Sequence, residues 1–127
     1  MINLRTVEHV HHILIHEFGG NNSVKDTAAL KVALNRPYAT FEFQELYPTP
    51  VDKASALFES ILISQPFANG NKRTAYLLMR LILLHSGFDI SATQDEKHKI
   101  ICSACSGEAG FDEIKIWINT KLTKSIR

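Results

Sequence analysis

The 127-residue sequence predicts a compact all-α domain of about six helices with a short extended flap. Three observations carry that prediction. Apolar residues recur at helical spacings through most of the chain, and Thr, Asp, Gly and Pro punctuate the runs where helices should start and stop. Only Tyr38 to Pro50 loses the helical period. No internal repeat, linker or low-complexity tract divides the chain, so residues 1–127 read as a single domain.

Thr6 is placed to cap a first helix in which Val7, Val10, Leu14 and Phe18 share a face, ending at Gly19-Gly20. A shorter helix is expected from Asp26 to Leu34, closed by Pro37. In the aperiodic stretch, Thr40-Phe41-Glu42-Phe43 suits an extended strip or flap. Helix resumes from Asp52 to about Ser64, with Ala54, Leu57, Phe58, Ile61 and Leu62 on one face, and stops before Pro66, which disfavours helical geometry at Gln65. The next helix starts near Asn71 or Lys72. Its Tyr76 to Leu84 segment is apolar on nearly every face, as a central helix would be, and Gly87 terminates it. Thr93 and Glu96 have capping-box spacing for a helix through Ile100 and Cys105. Asp112 is placed to cap the last helix, burying Ile114, Trp117, Ile118 and Leu122.

Composition excludes several function classes. A formal net charge of +1 gives no broad basic surface, so direct nucleic-acid binding is not expected and any anion site must be local. Two cysteines are too few for a disulfide scaffold, and Leu77 to Leu84, interrupted by Arg80, is far shorter than the roughly 20 apolar residues that span a bilayer. With no apolar leader in Met1 to Thr6, the expectation is a cytoplasmic protein with no membrane association.

Cys102 and Cys105 have C-x-x-C form, but a zinc site needs four ligands and redox pairs of this form belong to a βαβ setting; Cys105 reads better as a small buried side chain. His12 and His16 lie one turn apart without a third ligand, since Glu17 points elsewhere on the helix. His9, His12 and His16 read as surface residues, and His11, on the Val7/Leu14 side, as a partly buried, hydrogen-bonded one. His85 suits the C-terminal end of the central helix.

Chemistry concentrates in Gln65-Pro66-Phe67-Ala68-Asn69-Gly70-Asn71-Lys72-Arg73-Thr74-Ala75. A helix N-terminus offers unpaired N–H groups and a positive dipole end, Gly70 frees the turn to point them at a ligand, and Lys72 and Arg73 add formal charge where a polyphosphate would sit. The segment is not a Walker A loop, because Asn71 splits the Gly-Lys pair and a helix, not a strand, precedes it. An ordinary helix connection with solvated cations would not require the combination of Phe67, Asn-Gly-Asn and two adjacent cations.

Pro66 to Ala75 resembles the signature of the Fic/Doc superfamily, His-x-Phe-x-(Asp/Glu)-Gly-Asn-(Gly/Lys)-Arg. Phe18-Gly19-Gly20, Leu30 to Pro37, Glu45-Leu46-Tyr47-Pro48, Ala54 to Leu62 and Ser86-Gly87-Phe88 also look like the Doc (death-on-curing) branch, which Lys72 favours over the Fic branch. The resemblance implies a toxin of a toxin–antitoxin system that transfers phosphate, or AMP, from ATP with Mg2+ to a protein hydroxyl, for example on elongation factor Tu, and that is neutralised by a Phd-like antitoxin. Carried over by position, Gly70 and Asn71 would bind phosphate, Lys72 and Arg73 would contact nucleotide phosphates and neutralise charge in the transition state, and Phe67 would anchor the loop. The Thr40 to Tyr47 strip resembles the flap that docks the target segment.

Two positions depart from the signature. Gln65 stands where the family has its catalytic histidine and takes no proton near neutral pH; loss of a general base costs on the order of 10²–10⁴ in rate. Asn69 stands at the acidic position, where an amide oxygen holds Mg2+ less firmly than a carboxylate, so the metal would be bound mainly through the phosphates. Gln65 is compatible with a pseudoenzyme, with a mechanism resting on phosphate positioning alone, or with a residue introduced to silence a toxin. The implied activity is therefore impaired transfer, and the alternative is an inactive module that binds nucleotide or a protein partner.

Overall fold

The computed structural model describes residues 2–125 and has six α-helices, with strands only in two small antiparallel pairs. Helix α1 runs Leu4–Phe18, and its cap is Asn3 rather than Thr6: the Asn3 side chain accepts the Thr6 N–H at 2.9 Å, placing Thr6 inside the first turn. Helix α2 is Thr27–Asn35, capped by Asp26, whose Oδ1 accepts the Ala29 N–H at 2.9 Å. A single 3-10 turn, Arg36–Tyr38, carries Pro37 and leads to the flap.

The flap is a hairpin in which β1 (Thr40–Phe41) pairs with β2 (Gln44–Glu45). Its tip residues, Glu42 and Phe43, both hold positive φ, at 50° and 67°, as a two-residue turn with the twist of its strands requires. Phe43 is fully exposed. Two clamps hold the hairpin's base. Lys53 Nζ bonds Glu45 Oε1 at 2.8 Å and also the Tyr47 carbonyl, while Arg36 donates to Tyr47 Oη at 3.1 Å, Glu59 Oε1 at 2.8 Å and Ser60 Oγ at 3.0 Å.

Helix α3, Pro50–Ser64, begins before the expected Asp52, because Thr49 and Asp52 form a reciprocal capping box and Pro50 occupies the first turn, where its missing N–H costs nothing. It ends at Gln65, in a left-handed conformation (φ 45°, ψ 63°). Helix α4 is Asn71–His85. The two pack along each other as the core's central pair, Leu57, Phe58, Ile61 and Leu62 meeting Ala75, Leu78, Met79 and Leu83, all buried. Val7 from α1 and Leu30 from α2 join the same cluster.

After α4 the chain forms β3 (Phe88–Ile90), α5 (Gln94–Cys105), α6 (Phe111–Lys121) and β4 (Leu122–Lys124). The Thr93/Glu96 capping box of α5 is present as expected. Two expectations are corrected here. Gly110 is the N-cap of α6, so Asp112 lies in the first turn and faces the helix dipole instead of capping it. Ile114 and Ile118 are buried and Trp117 half-buried, but Leu122 leaves the helix to pair with Ile90 in a β3–β4 ladder that helical periodicity gives no sign of.

Ion pairs join the elements: Arg80 to Asp89 through two bonds of 2.9 and 2.8 Å, Lys115 to Asp52 at 2.7 Å, and Lys121 to Glu96. No described helix is long and apolar enough to cross a membrane.

Candidate phosphate-binding site

The turn between α3 and α4 is built by backbone pairing with the α1–α2 connection. The Ala68 N–H donates to Ser23 O at 3.0 Å, and the Lys25 and Asp26 N–H groups donate to Pro66 O at 2.8 and 3.0 Å, a short antiparallel bridge centred on Val24 and Phe67. Phe67 is fully buried, and Asn71 holds its main chain from within the turn, Oδ1 accepting the Phe67 N–H at 3.0 Å and Nδ2 donating to Phe67 O at 2.9 Å. The Asn71 side chain is thus occupied inside the turn, which leaves its backbone N–H as the group able to meet an anion.

Gly70 is the N-cap of α4, left-handed at φ 79°. A side chain there would be strained by that φ and its Cβ would crowd Ile15 Cδ1 at 3.1 Å, with His11 Nε2 at an ordinary contact distance of 3.5 Å. The first helical bond is Thr74 N–H to Gly70 O at 3.0 Å, and no side chain caps the end. The N–H groups of Asn71, Lys72 and Arg73 therefore precede the ladder, the arrangement that receives anions at helix N-termini.

Behind the turn, His11 is buried and stacks on Phe67 (centroids 3.8 Å apart, planes at 14°), with Nε2 2.7 Å from Asn69 O. The expected hydrogen bond of His11 is present, though the residue is buried outright rather than partly; His9, His12 and His16 are exposed. Asn69 is engaged on its side chain too, Oδ1 accepting the Asn21 N–H at 2.8 Å. Gly20 packs against it so closely that a Cβ would lie 3.0 Å from Asn69 Cβ, at a φ of 117° that few side chains adopt.

Lys72 and Arg73 are exposed on an open groove of about 540 Å³ between α1, α4 and α5. Arg73 lies over the Phe18 ring, 4.2 Å from its centroid, and Lys97 over Tyr76 at 5.4 Å. Burial pushes the Tyr76 hydroxyl up to about 12, with Arg80 opposing the rise and Asp89 adding to it. Of the sequence-derived site residues, Phe67, Asn69, Gly70 and Asn71 form the turn and Lys72 and Arg73 its cationic margin. Gln65 stands on the other side of Pro66, exposed, its N–H bonded back to Ile61 O at 2.8 Å.

The Fic/DOC family model matches residues 1–83, which take in both the turn and the α1–α2 segment that supports it. The chain belongs to the Fic/DOC family. A curated relative, Toxin Doc of Mycolicibacterium smegmatis (strain ATCC 700084 / mc(2)155), is 33% identical over 94 residues, covering 69% of this chain and 72% of that protein.

Residue 69 is an asparagine, whose amide oxygen is a weaker ligand for a hard cation than a carboxylate. Asn69 Oδ1 accepts the Asn21 N–H with one of its two lone pairs, and among the described residues no three His, Cys, Asp or Glu side chains converge as a metal cluster. The half-buried Cys105 and exposed Cys102 belong to no such cluster either, and burial raises the Cys105 thiol above its ordinary range. Sequence reading did not find the supporting partners Ser23, Val24, Lys25 and Asn21. Their only local signal is the run of turn formers from Gly19 to Ser23.

Proposed function

We propose that this Fic/DOC chain is a Doc-like toxin of a toxin–antitoxin pair, whose α3–α4 turn receives the phosphates of a nucleotide such as ATP for transfer of a phosphoryl or AMP group to a protein hydroxyl. The observation that carries the reading is the uncapped N-terminus of α4, entered through left-handed Gly70 and followed by Lys72 and Arg73. Phosphoryl transfer is catalysed mainly by positioning and charge compensation, which backbone donors and two cations can supply. The β1–β2 hairpin, with Phe41, Phe43 and Leu46 exposed, is the surface on which a target segment such as one from elongation factor Tu would dock. A Phd-like antitoxin is the partner this reading assigns.

Transfer is expected to be weak. Gln65 accepts no proton at neutral pH, so loss of a general base lowers the rate on the order of 10²–10⁴. In a complex of ATP with Mg2+, the triphosphate itself would carry the ion. Engagement of Asn69 and the identity of Gln65 favour one second reading, a module that binds nucleotide or a partner without chemistry.

The two readings separate when this chain and a Gln65→His variant are incubated with elongation factor Tu, magnesium and ATP labelled at the α- or γ-phosphate. Label from the γ-phosphate with Gln65→His alone is the expected result and marks a phosphotransferase silenced at Gln65. Label from the α-phosphate marks an AMP transferase, and no transfer by either protein favours a different target or the binding module.

A further inference from the structure

We propose that His11 is the positioning residue of this site, the side chain that aims the amides of the turn at an incoming anion; the inference rests on the reading of the turn as a phosphate receiver. Three contacts from one ring carry it. The imidazole lies flat on Phe67, stands where a Cβ on Gly70 would come within 3.5 Å of Nε2, and meets Asn69 O at 2.7 Å. A carbonyl oxygen only accepts, so Nε2 carries the proton and donates it there.

The consequence follows from peptide geometry. In a planar trans peptide the C=O and the next N–H point in opposite directions. By holding Asn69 O inward, toward α1, His11 turns the Gly70 N–H outward, to the side from which a ligand arrives. The left-handed Gly70 then carries the chain into α4, whose first N–H groups follow in succession, so that consecutive amides form a concave nest for an anion. His11 itself is buried, with 2% exposure, and touches no ligand in this scheme. Asn71 and the Ser23–Asp26 bridge hold the Pro66–Ala68 half of the turn, whereas His11 holds the peptide that joins Asn69 to Gly70.

The test uses two variants of the full chain. His11→Phe keeps a ring to stack on Phe67 but has no donor, and His11→Gln keeps a donor without the ring. Three quantities are read: melting temperature, the Gly70 amide nitrogen shift without ligand, which follows the orientation of the 69–70 peptide, and ATP affinity by calorimetry. The expected result is a displaced Gly70 resonance in His11→Phe and ATP binding weaker by roughly 5–10-fold, the loss of one hydrogen bond's worth of orientation, with His11→Gln partly restoring both.

A purely structural role would lower the melting temperature of both variants and leave the Gly70 shift and the affinity at parental values, which would overturn the proposal. If the parental chain binds no ATP, the phosphate reading fails. The Gly70 shift still decides whether His11 orients the 69–70 peptide, since an unmoved resonance in His11→Phe overturns that role and a displaced one sustains it.

Discussion

Asn71 accepts the N–H of Phe67 and donates to its C=O, so the signature phenylalanine is pinned by an asparagine one helical turn further on. Both groups of Phe67 are buried with that amide as their partner, and a buried peptide group that loses its partner costs about 1–3 kcal/mol.

Asn71→Ala is therefore expected to destabilise the chain by about 2–4 kcal/mol. The melting temperature should fall by roughly 3–5 °C per kcal/mol, as read by calorimetry. Asn71→Asp keeps the acceptor for the Phe67 N–H but loses the donor to Phe67 O, and should fall between Asn71→Ala and the parent.

Gly20→Ala tests the packing of the α1–α2 connection on the turn. The new methyl would lie 3.0 Å from Asn69 Cβ at a φ of 117°, so Asn69 must shift or the backbone strain. The expected loss is about 1–3 kcal/mol in urea unfolding with an unchanged m-value. Gly19→Ala is a weaker perturbation, because its φ of 86° strains a side chain but nothing lies near the added methyl.

Arg36→Lys should loosen the flap without unfolding the core. Arg36 reaches Tyr47, Glu59 and Ser60 at once and sits 5.4 Å from the Tyr47 ring centroid, a set of contacts that a lysine ammonium cannot reproduce. Faster proteolysis within residues 40–47 with a melting temperature lowered by only a few degrees is the expected pair of results.

Stability should also fall on the acid side. Hydrogen bonds from Arg80, opposed by burial, hold the Asp89 carboxyl below its usual range; at Asp52 burial raises the value, but Lys115 and Thr49 more than offset it. Glu96 is held at about 2 by Lys121 and by the Thr93 N–H. A depressed folded-state pKa contributes stability that is present above the unfolded value, near 4, and lost as pH falls through the folded one. Unfolding free energy should thus drop between about pH 5 and pH 2. Asp89→Asn should flatten that slope and cost about 1 kcal/mol or less at pH 7, since Arg80 is 36% exposed and solvent screens the pair.

Helices are legible in this sequence wherever apolar period and caps agree, as at Thr93/Glu96 and along Leu57 to Leu62. Errors arise where two residues compete for one cap, Asn3 against Thr6 and Gly110 against Asp112, and where Pro50 looks like loop although it suits a first helical turn. The β3–β4 ladder is illegible because each strand has three residues and is defined by its partner across the chain. At the candidate site, the turn and its cations announce themselves through local composition. The contacts that shape it, His11 to Asn69 and Ser23 to Ala68, span tens of residues and follow from packing alone.

The central claim, that the α4 N-terminus receives phosphate, is tested most directly by titrating the isotope-labelled chain with ATP and following each backbone amide by NMR. The expected result is saturable shifts concentrated at Gly70, Asn71, Lys72 and Arg73, lost in an Arg73→Ala, Lys72→Ala double variant. Shifts confined to another surface, such as the cleft of about 460 Å³ lined by Tyr38, Lys53, Leu81 and His85, or none at millimolar ATP, would contradict it.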